Sequence, residues 1–430
     1  MLFHMRRAAV AQAMGTGVMV LFSAPVAYRN RDVEHEYRQD SDFYYLTGFD
    51  EPESAAVLLA DEGRGRLVMF VRPRHPERDV WDGRRVGVEG ARELHGADEA
   101  FPIQELNNRL PELLRGRRRL FHRLGRYRDR DDLILWAIDT VRARGRSPYL
   151  WPTEIVDPEP ILHEMRWRKD EGEVRAMQRA ADVTCEGHLA AMRRARPGGY
   201  EYEVDAALRE AFRRLGSERC AYPPIVGAGA NGTTLHYRAN SGPLRDGDLL
   251  LVDAGAEVAY YASDVTRTFP INGRFSPDQR AAYEVVLAAQ EAAIARCVPG
   301  SSIEDVHAAA VELLVVGMVR LGLLRGEPQK LIEEGAYRRY FMHRTSHYLG
   351  MDVHDVGAYF IDQKPRLMEP GVVLTVEPGL YISPQDEDAP PGLRGLGIRI
   401  EDDVLITPAG PRVLTAEIPR KIEDVEAACR

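Results

Sequence analysis

Leu249-Leu250-Leu251-Val252-Asp253-Ala254-Gly255 and Val372-Val373-Leu374-Thr375-Val376-Glu377-Pro378-Gly379 decide how this chain reads. Each is an apolar run of the length and β-branched content of a buried strand, and each runs into an acid with a glycine two residues on. An unpaired carboxylate inside protein costs several kcal/mol, or shifts its pKa until it is neutral. Two further acids share the setting: Asp264 precedes Val265-Thr266-Arg267-Thr268-Phe269, and Glu401 closes Ile398-Arg399-Ile400. Singly, each reads as a strand-end carboxylate that caps a turn or meets an arginine. As four, one pair per half of a duplicated segment, they read better as ligands of metal ions.

The duplication rests on residue identities. Pro197-Gly198 with Glu203-Val204 and Ala206-Ala207 matches Pro299-Gly300 with Asp305-Val306 and Ala308-Ala309, at a constant offset of 102 residues (299 against 197). The order of elements repeats too. A helix from Asp170 carries Val174, Met177, Ala181, Leu189 and Met192 at helical spacing and ends before Gly198; a second carries Val204, Leu208, Phe212 and Leu215 and closes at Gly216. Strands then run to about Pro270. Ser276-Pro277-Asp278-Gln279 opens the next helix with an N-cap serine, an N1 proline and a capping-box Gln. Ser301 and Glu304 are expected to open the one after, and strands follow to about Leu414. The spacing predicts two α+β halves facing each other about a pseudo-twofold axis. Asp253 and Asp264, eleven residues apart around Gly255, suit a hairpin with both acids at one mouth.

The 430 residues make two to three domains' worth of core. Upstream, Ala55–Ala60 and Leu67–Val71 read as strands and Leu133–Arg144 as a helical tail. Pro148, Pro152, Pro158 and Pro160 mark a stretch unsuited to helix or central strand, which divides the chain into residues 1–160 and 161–430. Arg6-Arg7 before the apolar stretch Ala8–Ala27 looks like a signal peptide, but Gln12, Gly15 and Gly17 interrupt it, and a short helix followed by a buried strand Val18–Phe22 is preferred. No apolar run is long enough to span a bilayer. A net charge of −9 disfavours a nucleic-acid coat. Cys185, Cys220, Cys297 and Cys429 are scattered, without the spacing of a cysteine zinc site or a disulfide framework, which fits a reducing compartment.

His343, His347 and His354 fall within a twelve-residue window, and His236 lies just upstream of the first acid pair. Four carboxylates and one imidazole form an oxygen-rich set that suits Mn²⁺, with Co²⁺ or Zn²⁺ as other occupants, and can hold two ions through bridging carboxylates. Two close ions would deprotonate a bridging water at neutral pH, giving a nucleophile for hydrolysis.

Val252-Asp253-Ala254-Gly255, Ser263-Asp264-Val265-Thr266-Arg267, the window His343–Asp355, Thr375-Val376-Glu377-Pro378-Gly379 and Arg399-Ile400-Glu401-Asp402 together resemble the pita-bread metallopeptidases, and among them the Xaa-Pro aminopeptidase (aminopeptidase P) family. Arg29-Asn30-Arg31-Asp32, Tyr37–Phe49 and Glu51-Pro52 are similar to that family's N-terminal domain. The resemblance implies an α+β protein: an α/β creatinase-like N-terminal domain and a pita-bread catalytic domain with internal duplication. It implies Asp253, Asp264, His347, Glu377 and Glu401 as ligands of two metal ions, and His236, His343 and His354 as hydrogen-bonding site histidines. Glu377 would move the proton from water to the leaving nitrogen. Arg399 and Tyr381 would support the site, and Trp81 would reach a neighbouring subunit of a homodimer or homotetramer. Two stretches depart from the family pattern: Arg344-Thr345-Ser346, where many relatives have smaller residues, and Phe360–Arg366, which is a residue longer and lacks a clear match to the family's substrate-facing arginine.

The activity implied is release of the residue that precedes a penultimate proline, in the cytoplasm, on peptides rather than nucleic acid or membrane. The alternatives are a prolidase restricted to Xaa-Pro dipeptides and a non-catalytic pita-bread scaffold. The five ligand types weigh against the scaffold, and against creatinase-type C–N hydrolysis, which uses this fold without metals.

Overall fold

A computed structural model describes residues 3–143 and 150–430; Arg144 and Pro148 lie outside the described residues. The chain divides into two compact units, Met1–Met165 and Arg166–Arg430. The division falls inside the helix Glu159–Trp167, not at the 160/161 boundary read from the prolines. Pro160 is tolerated there because a first-turn N–H has no helical partner to lose. The proline-rich stretch also holds a strand, Glu154–Val156, at the edge of a sheet, where ladder bonds run on one side only.

In the first unit the apolar stretch after Arg7 is the helix Phe3–Met14 and the strand Gly17–Phe22. That strand lies inside a six-stranded mixed sheet, antiparallel to Ala55–Asp61 and parallel to Arg119–Phe121. Alternation along the strands separates two cores. Val57, Leu59, Val68 and Phe70 pack with Leu110, Leu114, Ile134 and Ile138, while Ala56, Leu67, Met69 and Val71 pack with Phe43 and Phe49.

The second unit repeats one order of elements. Helices Glu171–Arg194 and Glu201–Arg214 precede a sheet of Ile225–Ala228, Leu249–Asp253 and Thr266–Pro270. Helices Pro277–Ala295 and Ile303–Arg320 precede a sheet of Val373–Val376, Asp402–Thr407 and Gly410–Val413. Capping boxes at Asp170/Glu173 and Ser276/Gln279 start the first helix of each pair. The cap of Ile303–Arg320 is shifted by one residue from the expected Ser301/Glu304. Ser302 caps Asp305 and Asp305 returns the bond, because the shorter Asp closes the box and leaves Glu304 to pair with Arg344.

The halves meet along Thr266–Thr268 and Arg399–Glu401. Glu401 N–H donates to the Thr266 carbonyl at 3.0 Å, and the Arg399 N–H donates to Thr268 Oγ1 at 3.1 Å. Fully buried Arg267 crosses the same seam, donating to Asp402 Oδ1 at 2.7 Å and to the Ile418 carbonyl. Within the first half, Asp253 pairs with Thr266 across antiparallel strands. Gly255 permits this fold-back, since a Cβ there would lie 1.7 Å from the Ser263 carbonyl oxygen. The turn is pinned by Glu171–Arg194, whose Thr184 accepts from Ala256 N–H and whose His188 donates to the Ala254 carbonyl at 3.0 Å.

Burial pulls the His188 pKa from 6.5 down to about 4. A base with a depressed folded-state pKa stabilises the fold above its unfolded value, and that stability is lost as pH falls through 6.5 toward 4. Urea unfolding of the second unit is expected to lose roughly 3 kcal/mol over that window on this account, and His188→Gln, which keeps a donor for Ala254, should flatten the loss.

Candidate metal centre

The strand ends and the His343–Asp355 window converge on one cavity of about 700 Å³ in the second unit. Its lining includes all five expected ligands, Asp253, Asp264, His347, Glu377 and Glu401, together with His236, His343, His354 and Arg399. Each position follows from local structure. Asp253 is the last residue of its strand. Asp264 is held by two hydrogen bonds of its N–H to the buried Asp403 carboxylate, at 3.2 and 3.3 Å. His347 is laid along the second sheet by its carbonyl, which accepts from Thr375 N–H, and Glu377 N–H donates to the Thr345 carbonyl at 2.8 Å.

One oxygen each of Asp264 and Glu401 and one nitrogen of His347 lie within 4.8 Å of one another. His347 Nε2 is 3.4 Å from Asp264 and 3.6 Å from Glu377. Asp253 is tied in by Tyr222, whose hydroxyl donates to Asp253 Oδ1 at 2.6 Å and also contacts Asp264 Oδ1. The other Asp253 oxygen meets Arg399 Nη2, so one of the four acids is engaged by an arginine, and only through one oxygen.

The charges do not balance within the protein. Among the described residues the four carboxylates face one guanidinium, Arg399, and the imidazoles of His347 and of His343, the latter held neutral by burial, so burial and mutual repulsion push Glu401 well above the usual carboxylate range. Glu377 rises to about 7, through burial first, although His347 and Arg399 oppose it. Asp253 also rises by burial, against the pull of Arg399. Burial alone would raise Asp264 and lower His347; their mutual hydrogen bond and charges reverse both, holding Asp264 low and His347 at about 9. A pocket that retains carboxylates in such excess fits divalent cations, and the mixed oxygen and imidazole donors suit hard or borderline ions.

The remaining histidines differ in setting. His343 Nε2 is 2.9 Å from the Tyr381 hydroxyl and its Nδ1 2.8 Å from the Arg344 carbonyl; burial draws its pKa down to about 3. The His354 ring packs edge-on against His347, with centroids 4.5 Å apart. His236 is an exposed part of the lining. Arg399 donates to Tyr381 and Thr266, and Thr266 Oγ1 donates to Glu401 at 2.6 Å, so Arg399 and Tyr381 join the expected support of the acids. Trp81 belongs to the first unit, 86% exposed on the helix Pro76–Asp82. Both departures from the family pattern touch the cavity. Arg344 lines it and pairs with Glu304, and Phe360 lines it from a hairpin, Phe360–Ile361 against Lys364–Pro365, closed by a two-residue turn, Asp362 and Gln363, at φ 49° and 63°.

Sequence reasoning missed Tyr222 and Asp403. Tyr222 precedes Pro223-Pro224 in no recognisable pattern. Asp403 was open to notice, as the last of three consecutive acids, Glu401-Asp402-Asp403, running into the apolar residues Val404-Leu405-Ile406.

Fold and site together define a metallopeptidase. Residues 175–408 match the model of metallopeptidase family M24, and residues 3–121 match that of the aminopeptidase P N-terminal domain. The chain is 43% identical over 427 residues to an Escherichia coli protein named Xaa-Pro aminopeptidase, covering 99% of this chain and 96% of that one. The structure of Pseudomonas aeruginosa aminopeptidase PepP superposes with a TM-score of 0.97 at 46% identity, over 99% of this chain and 97% of the other. A zinc-substituted E. coli aminopeptidase P in complex with product gives 0.96 at 43%, over 99% and 97%. The chain belongs to metallopeptidase family M24, and its second unit is the pita-bread fold.

Because the Tyr222 hydroxyl lies between Asp253 and Asp264, with one proton that either carboxylate can accept, Tyr222→Phe should weaken divalent-ion binding roughly ten- to hundredfold. Calorimetric titration of the metal-free protein measures it.

Proposed function

We propose that this metallopeptidase releases the N-terminal residue from peptides with proline in second position. The convergence of five ligand-type side chains and three histidines in one peptide-sized cavity carries the reading. Relatives that match the chain along nearly its whole length bear the name Xaa-Pro aminopeptidase. The bond before proline is a tertiary amide without an N–H, which peptidases that rely on backbone pairing handle poorly.

In this reading Asp253, Asp264, His347, Glu377 and Glu401 hold two divalent ions, Mn²⁺ by preference, with Co²⁺ or Zn²⁺ as substitutes. When bound, the ions supply Lewis-acid activation of water and of the scissile carbonyl. Glu377 accepts the proton of the attacking water and delivers it to the prolyl nitrogen, which leaves as an amine. His236, His343 and His354 line the path of the substrate carbonyl. His236 and His354 donate to the oxyanion that develops on it. His343, whose Nδ1 N–H is taken by the Arg344 carbonyl, accepts from Tyr381 through Nε2 and positions that hydroxyl, which Arg399 also binds. Arg399 opposes the burial that disfavours the charged form of Asp253.

We further read the chain as a cytoplasmic homodimer or homotetramer acting on peptides, with no nucleic-acid or membrane partner. In support, Cys185, Cys220, Cys297 and Cys429 are free thiols, the net charge is −9, and no helix among the described residues is long and apolar enough to cross a membrane. Val80 and Trp81, 85% and 86% exposed, offer an apolar pair for a neighbouring subunit to cover.

The test is a series of Xaa-Pro-Yaa peptides of increasing length against an Xaa-Pro dipeptide, assayed after chelation and after Mn²⁺ restoration. Metal-dependent release of the first residue from the longer peptides is expected. Exclusive dipeptide cleavage would make the enzyme a prolidase, and failure to take up metal would make it a scaffold. His236→Ala should lose most of its turnover, roughly a hundredfold, while elemental analysis finds its metal content unchanged; loss of metal with activity would argue against a substrate-orienting role.

A further inference from the structure

Beyond the ligands, the histidines and Arg399, the charged residues lining the cavity are Arg238, Arg344 and Glu304. Both arginines are placed by the segments that place site histidines. Arg344 follows His343, whose Nδ1 bonds its carbonyl, and Arg238 is two residues beyond His236. Arg344 meets Glu304 at the start of the helix Ile303–Arg320, with side chains 53% and 40% exposed. An ion pair so exposed is screened and held weakly, and exchanges readily for another carboxylate. Arg238 is exposed and makes no ion pair among the described residues.

These charges give the cavity a direction. The substrate's α-ammonium group belongs to the residue released and is drawn to the carboxylate-rich end and repelled by guanidinium groups. The rest of the peptide therefore extends toward Arg238 and Arg344. In a tripeptide the terminal carboxylate lies about 7 Å beyond the scissile bond, and a planar guanidinium accepts a carboxylate through two parallel hydrogen bonds.

We propose that Arg344 and Arg238 form a carboxylate-recognition subsite for the part of the substrate that follows proline, with Glu304 as the internal occupant that a substrate carboxylate displaces. This rests on the Xaa-Pro reading and deepens it, since it assigns selectivity to residues outside the metal shell. The carboxylate has two sources, the free end of a short peptide or an acidic side chain in a longer one.

Steady-state assays of the full chain reconstituted with Mn²⁺ distinguish them. Ala-Pro-Ala against Ala-Pro-Ala-amide probes the terminal carboxylate, and Ala-Pro-Glu-amide against Ala-Pro-Gln-amide probes the side chain. In at least one pair the wild type should favour the acid. That kcat/KM ratio should fall roughly three- to tenfold in Arg344→Gln and in Arg238→Gln, and rise in Glu304→Gln, which frees Arg344. The ratio is internal to each variant, so a general loss of active protein does not move it. A rise in Glu304→Gln is a sign that a purely structural ion pair does not give. Ratios unmoved in both pairs, with all four peptides cleaved, overturn the subsite alone. A wild type that cleaves none of the four overturns the Xaa-Pro reading, and the subsite with it.

Discussion

Four carboxylates that cannot all stay ionised without outside help are the constraint on which this molecule depends. Asp253, Asp264, Glu377 and Glu401 are brought together at the ends of apolar strands, where each alone is costly, and the described residues answer with one arginine, Arg399, and one imidazole of raised pKa, His347. The deficit appears as carboxyl groups pushed toward the neutral form. A fold that concentrates unmet negative charge has spent stability on a ligand, and divalent cations return it: binding to the folded state alone adds stability by mass action.

The seam between the halves makes the concentration possible. Glu401 is bonded to Thr266 through backbone and side chain, and Arg267 reaches from one half to Asp402 of the other. Each half thus brings two acids to a shared boundary whose own polar groups are paired. Gly255 matters for the same reason: backbone passes against backbone at Ser263, and no side chain fits between.

Much of this was legible in the sequence. The acids stood out because each broke an apolar run, and the duplication because Pro-Gly and the helix residues after it recur at one offset. The second-unit helices could be read from caps and spacing, though the Ser302 cap was missed by one residue, because serines adjoin at 301 and 302 and an Asp at the third position serves as well as a Glu. The helix Glu159–Trp167 was hidden by Pro160, which reads as a breaker unless it happens to stand in a first turn. Tyr222 was invisible because its role is defined by two acids 31 and 42 residues away, a proximity that only the folded strands create. Which histidine joins the acids was likewise undecidable from spacing; of the three in the window, His347 is the one whose ring nitrogen lies within 4.8 Å of oxygens of both Asp264 and Glu401.

The Thr266–Glu401 seam carries one further consequence. Because each half supplies only part of the donor set, a polypeptide severed near Gly273, between the first sheet and the helix Pro277–Ala295, would yield two fragments that are each incomplete as ion binders. Their reassembly would be driven partly by the cation itself, so metal affinity in such a split protein would report complementation between fragments. Evolution from a single ancestral half would then have required pairing of two copies before the site could work, with fusion into one chain coming afterwards.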